Sequence, residues 1–219
     1  MATIMISAAW DPVIEQYAGR VPRAFIRALI HGESGGNSQK ENPASHAAGL
    51  LQITEIVRQD WNSAHPDAPI SREQLFDPEI NVRIGAALLN RIVQVYGRHP
   101  TMRPDWASRR YAELVALGWN AGYSDHGGVG LAVAELEAAG AKPDDVTVDS
   151  VARVAASLPQ ASRFVSRPDR IAYAKAVADL YLGSRKAPVV AGRSGAVGPV
   201  VVAALGALGL AHFGRKGLG

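Results

Sequence analysis

The stretch LIHGESGGNS, residues 29–38, carries an apolar run into a single carboxylate, Glu33, and then breaks on Ser-Gly-Gly. Helical steps back from Glu33 reach Leu29 and Ile26, so the acid continues the apolar stripe, while Arg23 and Arg27 belong to the solvent face. A carboxyl group on that stripe loses the hydration of its charged form, and its pKa rises. Held protonated near neutral pH, it can give a proton to a leaving oxygen. Gly35 and Gly36 end the helix and take side chains away from the acid, which leaves room for a bulky substrate. An acid placed at a glycine-terminated helix end for structural reasons would read the same way, so this stretch alone does not decide its role.

Outward from Glu33, the chain reads as helices punctuated by Pro, Gly and Asp. Asp11-Pro12 looks like a cap followed by proline in the first turn, and Pro22 opens the helix that ends at Glu33. The strongest helix is FDPEINVRIGAALLNRIVQVYG, residues 76–97. Asp77 caps it, Ile80, Ile84, Leu88 and Ile92 recur every four residues, and Gly97 stops it. Further helices fit residues 106–119, 130–140, 149–158 and 168–183. No alternating strand longer than a few residues and no internal repeat is seen, so the expected class is mostly α.

Composition limits the function. The 219 residues suit one packed domain with an appendage, and 47% apolar and 20% charged residues describe a globular chain. A net charge of +3 favours approach to an anionic polymer without choosing one. Basic runs interleaved with aromatics are missing, so no nucleic-acid partner is expected. Cysteine is absent and the six histidines are scattered. No metal site and no cofactor is expected.

The N-terminus, MATIMISAAWDP, does not read as a secretory signal. After Gly183 the composition shifts. Residues 183–195 read as a basic, Gly- and Pro-containing linker between a domain at 1–182 and the uncharged segment Ala196–Phe213, with a basic tail at 214–219. That segment is near the roughly 20 apolar residues that span a bilayer. Ala203, Ala207 and Ala211 would let helices pack closely. A transmembrane helix in contact with lipid is the expectation.

The residues after Glu33 read NPASHAAGLLQIT, 42–54. The Glu33-Ser34 pair with its glycines and the Gly49-Leu50-Leu51-Gln52 run resemble the Glu-Ser and Gly-Leu-Met-Gln motifs of lytic transglycosylases of the soluble type, lysozyme-like enzymes that cut peptidoglycan. NVRIGAALLNRIVQVYG (81–97) resembles that family's Asn-to-Gly helix. ALGWNAG (116–122) resembles its Ala-Tyr-Asn-Ala-Gly block, and RPDRIAYAKAVADLY (167–181) its last helix. The resemblance covers about residues 12–182. Leu51 stands where the family has Met, and Trp119 where it has Tyr. The segment between Asn120 and Tyr173 is long for the family.

The resemblance implies a lysozyme-like helical domain acting on peptidoglycan glycan strands. Glu33 would be the catalytic acid, then base. It would protonate the oxygen between MurNAc and GlcNAc, then take the proton from the C6 hydroxyl as a 1,6-anhydro ring closes. Paired-carboxylate glycosidases need a second acid, and Glu41, Glu55 and Asp60 read as solvated. Ser34, Ser45, Leu51, Gln52, Trp119, Asn120 and Tyr173 would line the substrate site. Gln52 and Asn120 would hydrogen-bond sugar acetamides or Glu33. Capping for the two amides, and simple packing for Trp119 and Tyr173, remain alternatives on the residues alone. A hydrolytic muramidase of goose type and an inactive wall-binding or structural virion module are the rival functions. A wall-cutting chain with a hydrophobic tail and no recognisable signal fits a membrane-associated bacteriophage virion protein acting on the periplasmic wall. A secretion-apparatus enzyme is the alternative.

Overall fold

The computed structural model describes residue 4 and residues 6–186. The expected linker beyond Lys186, the segment Ala196–Phe213 and the basic tail lie outside the described residues. Among the described residues no helix is long and apolar enough to cross a membrane.

The described chain is helical, with isolated bridges in place of strands. Its helices are α1 (Asp11–Tyr17), α2 (Arg23–Ser34), α3 (Glu55–Ala64), α4 (Pro78–Tyr96), α5 (Arg109–Ala121), α6 (Val129–Ala138), α7 (Val148–Ser157) and α8 (Pro168–Lys186). Most boundaries follow the sequence signals. Asp77 accepts from the amides of Glu79 and Ile80 at the start of α4, and Pro78 sits in its first turn. Thr54 caps α3 through the amide of Val57.

Three boundaries differ from expectation. Asp11 lies inside α1 rather than capping it, because a 3-10 turn, Ala8–Trp10, runs directly into the helix and Asp11 pairs with Arg27 instead. Helix α5 begins at Arg109, not 106, since Trp106 is turned into an aromatic cluster with Phe25, Tyr111 and Tyr181. Gly183 does not end α8, which continues to Lys186.

Helix α5 is the centre of the fold. Tyr111 to Trp119 are all buried, the pattern of a helix covered on every side. Helix α8 lies along both α5 and α2. Arg109 of α5 reaches Asp179, while Asn120 at the other end of α5 meets Arg170, so α5 and α8 run antiparallel. The end of α4 closes on α5 where Gly118 makes room: a Cβ there would lie 2.1 Å from the Tyr96 hydroxyl. This packing brings the C-terminal end of α5 and the first turns of α8 to the C-terminal end of α2, where Glu33 is.

Candidate active site

Glu33 occupies the last turn of α2. Ile26 and Leu29 on its stripe are fully buried, and Glu33 itself is 9% exposed. Gly35 then turns the chain with φ +65°, a conformation that a side chain would strain, and space for a Cβ there is open. Gly36 differs from expectation. The room it leaves is filled by Ile6, 3.2 Å from where its Cβ would be. The Trp10 indole donates to the Gly36 carbonyl at 3.2 Å, so the N-terminal segment straps the turn behind the acid.

Two donors converge on one oxygen of the acid. Trp119 Nε1 donates to Glu33 Oε1 at 2.9 Å, and the Tyr173 hydroxyl donates to the same atom at 2.5 Å. Tyr173 also lies against Gly32, whose Cβ would be 3.6 Å from the ring. With Oε1 doubly occupied as an acceptor, Oε2 has no hydrogen-bond partner among the described residues and is the atom on which an acidic proton belongs. Burial pushes the Glu33 carboxyl above its ordinary range. The hydrogen bonds from Tyr173 and Trp119 and the cations Lys40 and Arg170 pull it part of the way back. Burial also raises the Tyr173 phenol well above its usual value, so it stays a donor.

The candidate carboxylate partners are engaged elsewhere. Glu41 pairs with Arg72 and His46, and Glu55 with Arg58. Asp60 is exposed on α3. The charged groups acting on Glu33 are both cations.

The other sequence-selected residues are engaged away from the carboxyl. Ser34 serves the helix end: its hydroxyl donates to the Ile30 carbonyl and accepts from the Gly36 amide. Ser45 sits half-buried in the loop, its hydroxyl accepting from the Ala47 amide. Leu51 is fully buried against Gly85, where a Cβ would lie 2.4 Å from Leu51 Cδ1. Gln52 spends its amide hydrogens on the carbonyls of Lys40, 3.0 Å, and Gly49, 2.9 Å. It holds the left-handed φ of +47° that closes the loop. Asn120 accepts from Arg170. Neither amide is a partner of Glu33, which takes its donors from Trp119 and Tyr173 instead. Indole and phenol are better suited to an apolar pocket, since each brings one donor on a mostly hydrophobic body.

Four residues went unassigned in the sequence. Lys40 donates to the Glu33 carbonyl at 2.5 Å, and nothing in its local pattern signals this. Arg170 is 3% exposed beside the acid. Its signal was a second arginine at the start of α8, in a position where a surface charge is the ordinary reading. Trp10 holds the Gly36 turn. Asn81 is fully buried and fully engaged: Oδ1 accepts from the Leu51 amide at 2.8 Å, and Nδ2 donates to the carbonyls of Leu75, 2.8 Å, and Ala48, 2.9 Å. Gly49 exists for this contact, because a Cβ there would lie 2.2 Å from Asn81 Nδ2. Two blocks that read separately in the sequence, 49–52 and 81–85, are thus one contact in space.

Comparison with known proteins bears on the family and the fold. Residues 13–137 match the family model described as the transglycosylase SLT domain. The 70 kDa soluble lytic transglycosylase of Escherichia coli aligns with a TM-score of 0.54 at 19% identity, over 81% of this chain and 24% of that one. The 70 kDa soluble lytic transglycosylase in complex with bulgecin A aligns with a TM-score of 0.53 at 19% identity, over 79% and 24%. At such identity the likeness is one of fold, and this chain spans about a quarter of the length of those structures. No curated protein sequence matches the chain.

Proposed function

The chain belongs to the transglycosylase SLT domain family, and from that premise we propose that it is a peptidoglycan lytic transglycosylase with Glu33 as its catalytic residue. The observation that carries the reading is the buried carboxyl whose Oε1 accepts from both Trp119 and Tyr173 while only cations act on it from nearby.

The chemistry follows from that geometry. Oε2–H of Glu33 protonates the glycosidic oxygen between MurNAc and GlcNAc, and the C1–O bond breaks. The substrate's own acetamide carbonyl shields the positive charge developing at C1. Glu33 is now a carboxylate, stabilised by its two donors and by Lys40 and Arg170. It accepts the proton of the C6 hydroxyl as that oxygen bonds to C1, closing the 1,6-anhydro ring. The acid is regenerated and no water is consumed. One group acting first as acid and then as base needs a pKa balanced between burial and donors, which is the balance found at Glu33.

The proposal extends to setting. A catalytic unit followed by the uncharged segment Ala196–Phe213 is suited to work at a membrane, opening the wall locally, as in phage genome delivery, with virion or secretion-apparatus proteins as partners. The test of the reaction is the mass of the products released from purified sacculi. Anhydromuropeptides are expected. Products heavier by one water would make the enzyme a hydrolytic muramidase.

A further inference from the structure

Lys40 is bonded at both of its ends. Its ammonium donates to the backbone carbonyl of Glu33 at 2.5 Å. That carbonyl lies in the last turn of α2, and the Asn37 amide that a longer helix would offer it goes to Ser34 instead. The carbonyl of Lys40 itself accepts from Gln52 Nε2 at 3.0 Å and from the Gly49 amide at 2.9 Å. Among the described residues Lys40 pairs with no carboxylate, since the neighbouring Glu41 is taken by Arg72 and His46. Gln52 is buried and holds its left-handed φ of +47°, a conformation that costs a residue with a side chain. Its amide donates to the Lys40 and Gly49 carbonyls. The strained residue therefore fixes the backbone of the lysine.

We propose that Gln52 and Lys40 form one positioning unit: the buried amide clasps the lysine backbone, and the lysine in turn anchors the turn that carries Glu33 and keeps a positive charge beside its carboxyl. The proposal rests on the transglycosylase reading. It gives the glutamine of the 49–52 block a role that involves no sugar. The simpler role for Lys40 is a helix cap alone, because a lysine at a helix C-terminus can satisfy a last carbonyl. Charge separates the two. The titratable and charged groups that act on Glu33 are Tyr173 and Arg170 from α8 and Lys40 from the loop, while α5 contributes the neutral Trp119. Both cations favour the carboxylate. Arg170 has Asp169 3.6 Å from its Nε, whereas the Lys40 charge has no such counter-ion among the described residues.

The test is the pH–rate profile of sacculus digestion by the full chain. Lys40→Met keeps the aliphatic stem and removes both the donor and the charge. Its alkaline limb should move upward, because Glu33 then holds its proton more tightly, and kcat should fall on the order of tenfold. Lys40→Arg restores the charge and should bring the limb back toward that of the wild type. Gln52→Met removes the clasp and should move the limb in the same direction as Lys40→Met. The double variant should go little further than Lys40→Met alone, because both changes act through one ammonium. Should Gln52→Met not fold, Gln52→Asn, whose amide reaches one methylene less far, is read in its place. A Lys40→Met variant that loses thermal stability but keeps the wild-type limb makes the lysine a cap alone and overturns the proposal. Losses at 40 and 52 that multiply independently overturn it as well. Wild-type protein that leaves sacculi intact overturns the transglycosylase reading itself, and that result is seen in the wild-type arm before any variant is compared.

Discussion

The end of α2 and the loop at 40–53 lie side by side and are held in opposite ways. Glu33 takes its two donors from residues 86 and 140 positions further along the chain. The loop closes largely on itself. Gln52 bonds to carbonyls 3 and 12 residues away, and Gly49 to Lys40 across the same turn. Its distant supports are Asn81, from α4, and Arg72, which donates to the His46 carbonyl and pairs with Glu41. The acid is therefore as well placed as the packing of α5 and α8 makes it, whereas the loop depends on α4. The loop reaches the acid through Lys40, whose ammonium donates to the Glu33 carbonyl, so damage to the loop should touch the acid by that link while leaving its two donors in place, and this separation can be tested.

The largest expected effect is on the acid. Glu33→Gln keeps an acceptor for Trp119 and Tyr173 but has no acidic proton, so sacculus digestion should fall by about 10^2–10^4-fold. The same change should raise stability at neutral pH. The folded chain holds the Glu33 proton to a higher pH than the unfolded chain does, because burial raises its pKa. Between the ordinary glutamate pKa and the raised one, the folded state thus binds more protons, and stability falls as pH rises. Glutamine is free of that penalty. Thermal midpoints measured across pH should show the variant ahead of wild type at pH 7, with the advantage vanishing below the ordinary glutamate pKa. An advantage that persists at low pH would point to packing instead of proton linkage.

Asn81→Ala tests the other side. Removing a fully buried amide strands the Leu51 N–H and the carbonyls of Ala48 and Leu75. A loss of about 2–4 kcal/mol is expected from chemical denaturation. Because both donors to the carboxyl come from α5 and α8, the fraction that remains folded should keep the alkaline pH limb of the wild type as long as Lys40 keeps its bond to the Glu33 carbonyl. A shifted limb would show that loop and acid are one unit.

The same division explains what could be read from the sequence. Helix α4 was legible from its cap, its proline and its four-residue period, and the glycine-ended helix carrying Glu33 from a stripe of buried residues. These signals are local, and local signals survive in a linear string. That Gly49 faces Asn81, or that Trp119 and Tyr173 meet on one carboxylate oxygen, is a property of how α4, α5 and α8 pack, and no spacing encodes it. The resemblance to soluble lytic transglycosylases supplied Tyr173 and Trp119 as candidates without placing the two on the same carboxylate oxygen. It supplied Gln52 and Asn120 as partners of the acid or the sugars, whereas the fold commits the Gln52 donors to the loop and the Asn120 oxygen to Arg170. Arg170 and Lys40 were illegible for a plainer reason: a lone basic residue in a loop or first turn is ordinarily solvated.

A smaller effect separates the two donors on Glu33. Each favours the carboxylate, so losing either raises the acid's pKa further. Tyr173→Phe and Trp119→Phe should both move the alkaline limb of the pH–rate profile upward and lower kcat, since the carboxylate formed after the first proton transfer is less stabilised. Tyr173 is the stronger of the two influences and should give the larger shift. A limb that moves downward, or not at all, would mean that neither donor bears on the acid during turnover.

The smallest expected effect lies in the core that joins α5 to α8. Tyr111 is fully buried, and its hydroxyl has no hydrogen-bond partner among the described residues. Burial raises its phenol well above the ordinary tyrosine range. The ring packs edge-on against Trp106 at 5.2 Å, so the aromatic body is used while the oxygen is not. A buried hydroxyl without a partner costs about 1–3 kcal/mol relative to a satisfied one. Tyr111→Phe removes that oxygen and leaves the ring in place. The variant should unfold at equal or slightly higher denaturant, a gain of up to about 1 kcal/mol, with no change in m-value. Since α5 carries both Tyr111 and Trp119, the substitution also asks whether firmer packing at one end of the helix reaches the acid at the other. Unchanged kcat alongside the added stability is the expected result, because Trp119 and Glu33 already make a 2.9 Å bond in the wild-type fold. A loss of more than about 1 kcal/mol would instead show that the hydroxyl has a partner in solution, such as a buried water.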